Sequence, residues 1–198
     1  MKALDWLRYL ERQWLDHGKV LYRVTELSNV ARRHPHAMNV ELARLVKRKV
    51  IARYANGVYG LPGAARAEDL VTALDPGAYI TGHYALHRQN FVTQRPSEIT
   101  CFTNRRHNRS KKRETPLGRI NFVCVNPNVY AKPAEGTLAP PEQALCDFVH
   151  VLELQGLDPR TVVTFRNLSR VRRSALAKLA TNYPPAVAAY FASWPSPA

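Results

Sequence analysis

The stretch PHAMNVELARLVKRKVIARYANGVYGLPG, residues 35–63, decides the fold. Met38, Leu42, Leu45 and Val46 fall at i, i+4, i+7 and i+8, the spacing that gathers apolar side chains on one side of a helix. The other side carries His36, Ala37, Asn39, Val40, Glu41, Arg44, Lys47 and Arg48, small or polar at its start and basic at its end. Such a helix can enter a major groove by its first turns while later cations reach phosphates. Two extended runs follow, Val50 to Ala55 and Val58 to Leu61, around Asn56-Gly57, a pair that favours the positive φ angles of a type I′ hairpin turn.

Upstream, Leu4, Leu7, Leu10, Trp14 and Leu15 recur at helical spacing, and His17-Gly18 ends that helix. Lys19 to Val24 reads as extended. Thr25 is expected to cap a second helix with Glu26 in its first turn, running to about Arg32. Helix, strand, helix, turn, helix and basic hairpin is the order of a winged helix-turn-helix. Between Met1 and Arg66 there are thirteen Lys or Arg and five Asp or Glu, so this module is strongly cationic.

The whole chain of 198 residues has 29 Lys and Arg against 15 Asp and Glu, a formal net charge of +14. An excess of this size attracts polyanions and makes nucleic acid the default partner. Apolar residues at 45% and charged residues at 22% fit an ordinary globular protein. No apolar run reaches membrane-span length and the start carries acids where a signal peptide is apolar, so a cytoplasmic protein without membrane contact is expected. Cys101, Cys124 and Cys146 lack metal or disulfide spacing and are expected to be buried thiols.

The second half mixes strands and helices. Strands are expected at Ala78 to Thr81, Glu98 to Thr103 and Gly118 to Asn126, the last with Ile120, Phe122 and Cys124 on one face and Val123 and Val125 on the other. Helices are expected at Gly82 to Gln89, from Pro140-Pro141-Glu142 through Ala144, Leu145, Phe148 and Leu152, and over Thr161 to Leu168, Arg172 to Thr181 and Pro185 to Trp194. The fold class is therefore α+β: a winged helix-turn-helix over 1–64, then a larger mixed domain over 65–198 with a small sheet and C-terminal helices. Ala64 to Ala67 reads as the linker or a short joining helix.

The segments VYGLPG (58–63), AYITGHYALHRQNFV (78–92), EITCFTN (98–104), TPLGRINFVCVNP (115–127) and APPEQALCDFV (139–149), in this order behind a winged module, resemble the AbiEi family of antitoxins and transcriptional regulators. The resemblance spans most of residues 1–153. It implies a type IV toxin-antitoxin pair. The winged domain would bind operator DNA and repress its own operon, the second domain would antagonise toxicity, and the toxin encoded alongside would be a nucleotidyltransferase. The chain departs from the family pattern in its basic segment Asn104 to Arg113 and its short, arginine-rich tail after Val151.

On the residues themselves, base recognition falls to His36, Ala37, Asn39, Val40 and Arg44, with Lys47 and Arg48 on the same helix. Backbone and wing contacts fall to Thr25, Arg32, Arg33, Lys49, Arg53 and Asn56. The partner is double-stranded operator DNA, expected as inverted repeats upstream of the operon. Arg105, Arg106, Arg109, Lys111, Lys112 and Arg113 form a possible second nucleic-acid contact, expected to be mobile until it meets phosphates. Two alternatives stay open: a stand-alone regulator, and an RNA-binding or ribosome-associated protein that relies on that run.

No catalytic residue, cofactor or metal is expected. Glu142 and Asp147 lie five apart, about 140° around a helix, and serve better at a helix start and core edge than as an acid-base pair. His83 and His87 have metal-compatible spacing without a third ligand. Tyr79, Tyr84 and Phe91 read as core before they read as base-stacking rings. No phosphate-cradling glycine loop and no nucleophile elbow occurs, so the chain is not expected to be an enzyme.

Overall fold

The computed structural model describes residues 2–108 and 111–194. It divides into two compact units, one of residues 1–74 with 114–118, the other of residues 75–113 and 119–198. The division thus falls at Leu74 and Asp75, whereas the sequence placed it at 64 and 65. Together the units are α+β: helices and a small sheet, then a second small sheet with helices around and after it.

The first unit runs α1 (Ala3–His17), β1 (Leu21–Arg23), α2 (Val24–Ala31), α3 (Pro35–Lys47), β2 (Ala52–Ala55), β3 (Val58–Gly60) and α4 (Ala67–Leu74). Its antiparallel sheet has the order β1-β3-β2. This is a winged helix-turn-helix, with β2 and β3 as the wing. Trp6 and Leu10 of α1, Leu27 of α2, and Met38, Leu42 and Leu45 of α3 meet Tyr22, Ile51, Tyr59 and Leu61 in one core. Tyr54 is buried on the wing and donates its hydroxyl to the Leu61 carbonyl at 2.7 Å.

Three local details differ from the expectation. Thr25 does not cap α2: the helix starts at Val24, so Thr25 lies inside its first turn, and the Glu26 carboxylate reaches back to accept the Arg23 backbone N–H at 2.7 Å. The wing turn is not type I′, which needs positive φ at both central residues. Only Gly57 has one (72°), and the pairing slips by one residue between Arg53 and Ala55, as in a hairpin closed by a glycine bulge. The residues after Gly63 hold an eight-residue helix, α4, whose first turn is held by Asp69 accepting the Arg66 N–H at 2.8 Å.

The second unit comprises β4 (Tyr79–Ile80), α5 (Gly82–Arg88), β5 (Ile99–Thr103), β6 (Lys112–Arg113), β7 (Ile120–Cys124), α6 (Pro141–Leu154), α7 (Pro159–Val162), a 3₁₀ turn (Leu168–Arg170), α8 (Arg173–Ala180) and α9 (Pro185–Ala192). Sheet order is β4-β5-β7-β6, with β5 and β7 parallel and the outer pairs antiparallel. Ile120 and Phe122 of β7 face inward, but Cys124 is exposed, so only Cys101 and Cys146 are the expected buried thiols. Residues from Glu142 to His150 of α6 are all buried, making this helix the centre of the unit.

Thr161 to Leu168 is not one helix. Asp158 caps α7 through the Arg160 N–H at 2.9 Å, and Val163 then turns extended so that Phe165 bridges Val92. Burial of Val163 and packing of Phe165 outweigh the helical spacing. The other two C-terminal helices form where the spacing places them.

Gly60 is the tightest backbone approach on the wing: a Cβ there would lie 2.2 Å from the Val20 carbonyl oxygen, whereas a Cβ on Gly57 meets open space. Gly57→Ala is expected to cost about 1–2 kcal/mol, the strain of positive φ, and Gly60→Ala about 3 kcal/mol or more, because backbone must move. Urea unfolding of both variants checks this; an equal cost would contradict the close packing of β1 on β3.

Candidate nucleic-acid interface

Pro35 begins α3 at the position where a missing N–H costs nothing, and the His34 ring accepts the His36 N–H at 3.3 Å. With Met38, Leu42 and Leu45 buried, the remaining faces of the helix are turned out. His36, Ala37, Asn39, Val40, Arg44, Lys47 and Arg48 are all exposed, and so are Thr25, Arg32, Arg33, Lys49, Arg53 and Asn56.

Two grooves flank α3. On the wing side a groove of about 480 Å³ brings Asn39 together with Arg53, Asn56 and Tyr59. On the α1 side a groove of about 410 Å³ gathers Lys2, Arg33, Ala37, Val40, Arg44 and Arg48, four of them cations. Thr25, Arg32, His36, Lys47 and Lys49 line neither groove. Arg32 and Lys49 both adopt positive φ, 50° and 57°, at the ends of α2 and α3, so their placement follows from chain reversal.

Some of these side chains already have partners. The Arg33 guanidinium pairs with Glu41, whose other carboxylate oxygen accepts the Trp6 indole N–H at 2.6 Å. Arg53 donates to the Asn56 side chain at 2.7 Å, which stiffens the wing. Arg53 and Asn56 are both exposed, so a phosphate can compete for the Arg53 guanidinium. Arg44, Lys47 and Arg48 make no ion pair among the described residues.

Ala43 escaped the sequence reading. It is exposed and lines the wing-side groove, three residues after Val40 and four before Lys47. The same helical spacing that marks the outer face includes it; its lack of a polar group kept it from notice. Lys2, next to the start of α1, is likewise added by the fold.

The two ends of the basic run in the second unit have partners among the described residues. Lys112 and Arg113 are β6, paired with Asn121 and Ile120 of β7. Lys112 lies 3.7 Å from Glu98, and Arg113 sits 5.5 Å over the Phe122 ring. Buried Asp75 accepts from Thr103 at 2.6 Å and from His107 at 2.8 Å, with Arg105 at 3.9 Å, and the His107 ring stacks on Phe122 at 4.3 Å. Arg106 and Lys111 are exposed without an ion pair among the described residues; Arg109 lies outside them.

The carboxylates and histidines of the second unit have structural partners. Glu142 is bound by Arg172 through its N–H at 3.0 Å and its Nε at 3.1 Å. Asp147, five residues on, is in the core rather than at its edge and accepts hydroxyls from Thr81 and Tyr183, each at 2.6 Å. His83 contacts the Gln94 carbonyl at 2.9 Å. Among the described residues no three His, Cys, Asp or Glu side chains gather as for a metal, and no helix is long and apolar enough to cross a membrane. Tyr79 and Phe91 are core residues.

No protein-family model matches the chain, and no curated protein matches it either.

Burial pushes the Asp147 carboxyl up to about 7, against the hydrogen bonds from Thr81 and Tyr183 that favour its charge. Unfolded, it titrates at about 3.9. Between these values the folded protein holds the extra proton, so its contribution to stability is complete below about pH 4 and is lost as the pH rises towards about 7. The stability difference between the parent and Asp147→Asn is expected to shift in favour of the variant across that interval and to stay level above it, as read by urea unfolding. A difference independent of pH would rule out a neutral buried carboxyl.

Proposed function

We propose that this chain is a sequence-specific DNA-binding repressor of its own operon. It acts in the cytoplasm and serves as the antitoxin to a nucleotidyltransferase toxin of a type IV pair. The observation that carries the DNA-binding reading is the exposed face of α3, where His36, Asn39, Val40 and Arg44 stand free between two grooves lined by Arg53 on one side and by Lys2, Arg33 and Arg48 on the other. Direct readout needs polar and apolar side chains that reach base edges, and register needs cations at phosphate distance on both sides. The antitoxin part rests on the resemblance of residues 58–149 to the AbiEi family.

In this reading α3 lies in the major groove. His36, Ala37, Asn39, Val40 and Arg44 face the bases, Lys47 and Arg48 follow the backbone, and Arg53 and Asn56 on the wing hold the neighbouring strand. Thr25, Arg32, Arg33 and Lys49 supply further backbone contacts. Most of the affinity comes from phosphate neutralisation, and the specificity from the first two turns of α3. An RNA-binding protein built on the basic run is less well supported, because Arg105, Lys112 and Arg113 are engaged with Asp75, Glu98 and Phe122.

Fluorescence anisotropy with the DNA upstream of the gene, competed by scrambled duplex and by single-stranded RNA, tests the reading. Tight binding that survives both competitors is expected. Arg44→Ala should weaken it by about 1–3 kcal/mol if the guanidinium grips a base pair. Lys47→Gln should weaken all sequences alike and lower the salt slope by about one unit. Neutralising Arg106 and Lys111 to Gln should change little. Loss of binding in that last variant, with Arg44→Ala unaffected, would move the nucleic-acid contact to the second unit.

A further inference from the structure

α1 presents two faces. Trp6 and Leu10 are buried in the core, whereas Leu4, Trp14 and Leu15 stand 55%, 46% and 79% exposed. Each residue advances about 100° around a helix. Leu4, Arg8, Glu11 and Leu15, spaced by four, three and four, therefore form one column on the side turned away from Trp6. All four are exposed, and neither Arg8 nor Glu11 makes an ion pair among the described residues.

The column reads apolar, cationic, anionic, apolar, an order that becomes its own complement when reversed. Two such helices laid antiparallel about a two-fold axis between Tyr9 and Leu10 set Leu4 against Leu15 of the second copy and Arg8 against Glu11 of the second copy; symmetry repeats both contacts. Alternating spacings of four and three are those of the seam positions in a seven-residue repeat, whose antiparallel layers join unlike positions. A parallel pairing would oppose Arg8 to Arg8 and Glu11 to Glu11, so charge selects the antiparallel form. Leu7 and Trp14 border the column on one edge and extend its apolar cover.

We propose that this face of α1 is a self-association surface through which two copies of the chain form an antiparallel, two-fold dimer. The helix has 15 residues, a length of about 22 Å. An interface of that extent lies at the small end of specific contacts, and the dimer is weak, with a Kd of roughly micromolar order. The opposed charges set its register more than its strength. Trp6 reaches Glu41 of α3 from the other side of α1, so pairing leaves the exposed face of α3 uncovered. The proposal does not depend on what α3 binds.

Sedimentation velocity of the full chain at low salt, from about 1 to 200 µM, brackets such an affinity. The parent should shift from monomer to dimer across the range. Arg8→Glu alone and Glu11→Arg alone should each associate at least about tenfold more weakly, because each opposes like charges. An equimolar mixture of the two variants should regain association, since one copy of each restores both opposed pairs. A parent that stays monomeric throughout, single variants that associate as the parent does, or a mixture no better than its components would each overturn the proposal.

Discussion

Burial of Met38, Leu42 and Leu45 is the constraint on which the candidate interface depends. Each of these side chains contributes about 1.5–3 kcal/mol when withdrawn from water, and together they fix the rotation of α3 about its own axis. Turning the helix to hide Val40 or Ala43 would expose one of the three, so the polar and cationic face is held outward by apolar packing behind it. The indole of Trp6 reinforces this from α1 by donating to Glu41, the one acid in an otherwise basic helix. Glu41 thus serves the scaffold, and its pairing with Arg33 ties the end of the turn after α2 to the middle of α3.

The second unit shows how far the surroundings of a carboxylate govern its charge. Asp75 and Asp147 are both fully buried. Burial raises both, but Asp75 also accepts from Thr103, His107 and the Gly77 N–H, and these hold its carboxyl below the ordinary range. Asp147 is met by hydroxyl groups inside the most buried helix and goes the other way. One carboxylate anchors the start of a cationic segment as an ion; the other completes a core with its proton held to far higher pH than usual. The identity of the residue is the same; desolvation deep in the core outweighs the hydrogen bonds at Asp147, whereas the hydrogen bonds and the His107 ring prevail at Asp75.

Much of this was legible in residue spacing. α1, α3, α6, α8 and α9 follow their apolar periodicity, and the order of elements in the first unit follows from Pro35, Gly18 and the Asn56-Gly57 pair. What was not legible depends on partners distant in the chain. Thr25 looked like a cap because hydroxyls often are, but the helix begins one residue earlier and takes Thr25 into its first turn. Val163 and Phe165 had helical spacing, yet Val92, far away in sequence, supplied a bridge that pulled them extended. The run from Asn104 to Arg113 looked like a solvated loop because the acids that face parts of it, Asp75 and Glu98, and the ring it packs on, Phe122, lie outside it. Ala43 belongs to the exposed face by spacing and was overlooked for its chemistry.

The three cysteines carry a consequence of the way β7 ends. Cys101 and Cys146 are enclosed, and burial raises both thiols, so the thiolate that reacts is scarce at each. Cys124 closes β7 in contact with solvent. Three side chains of identical chemistry are thereby sorted into two that are kinetically silent and one open to oxidants and alkylating reagents. The unit carries a single addressable sulfur, at the end of an inner strand of its sheet.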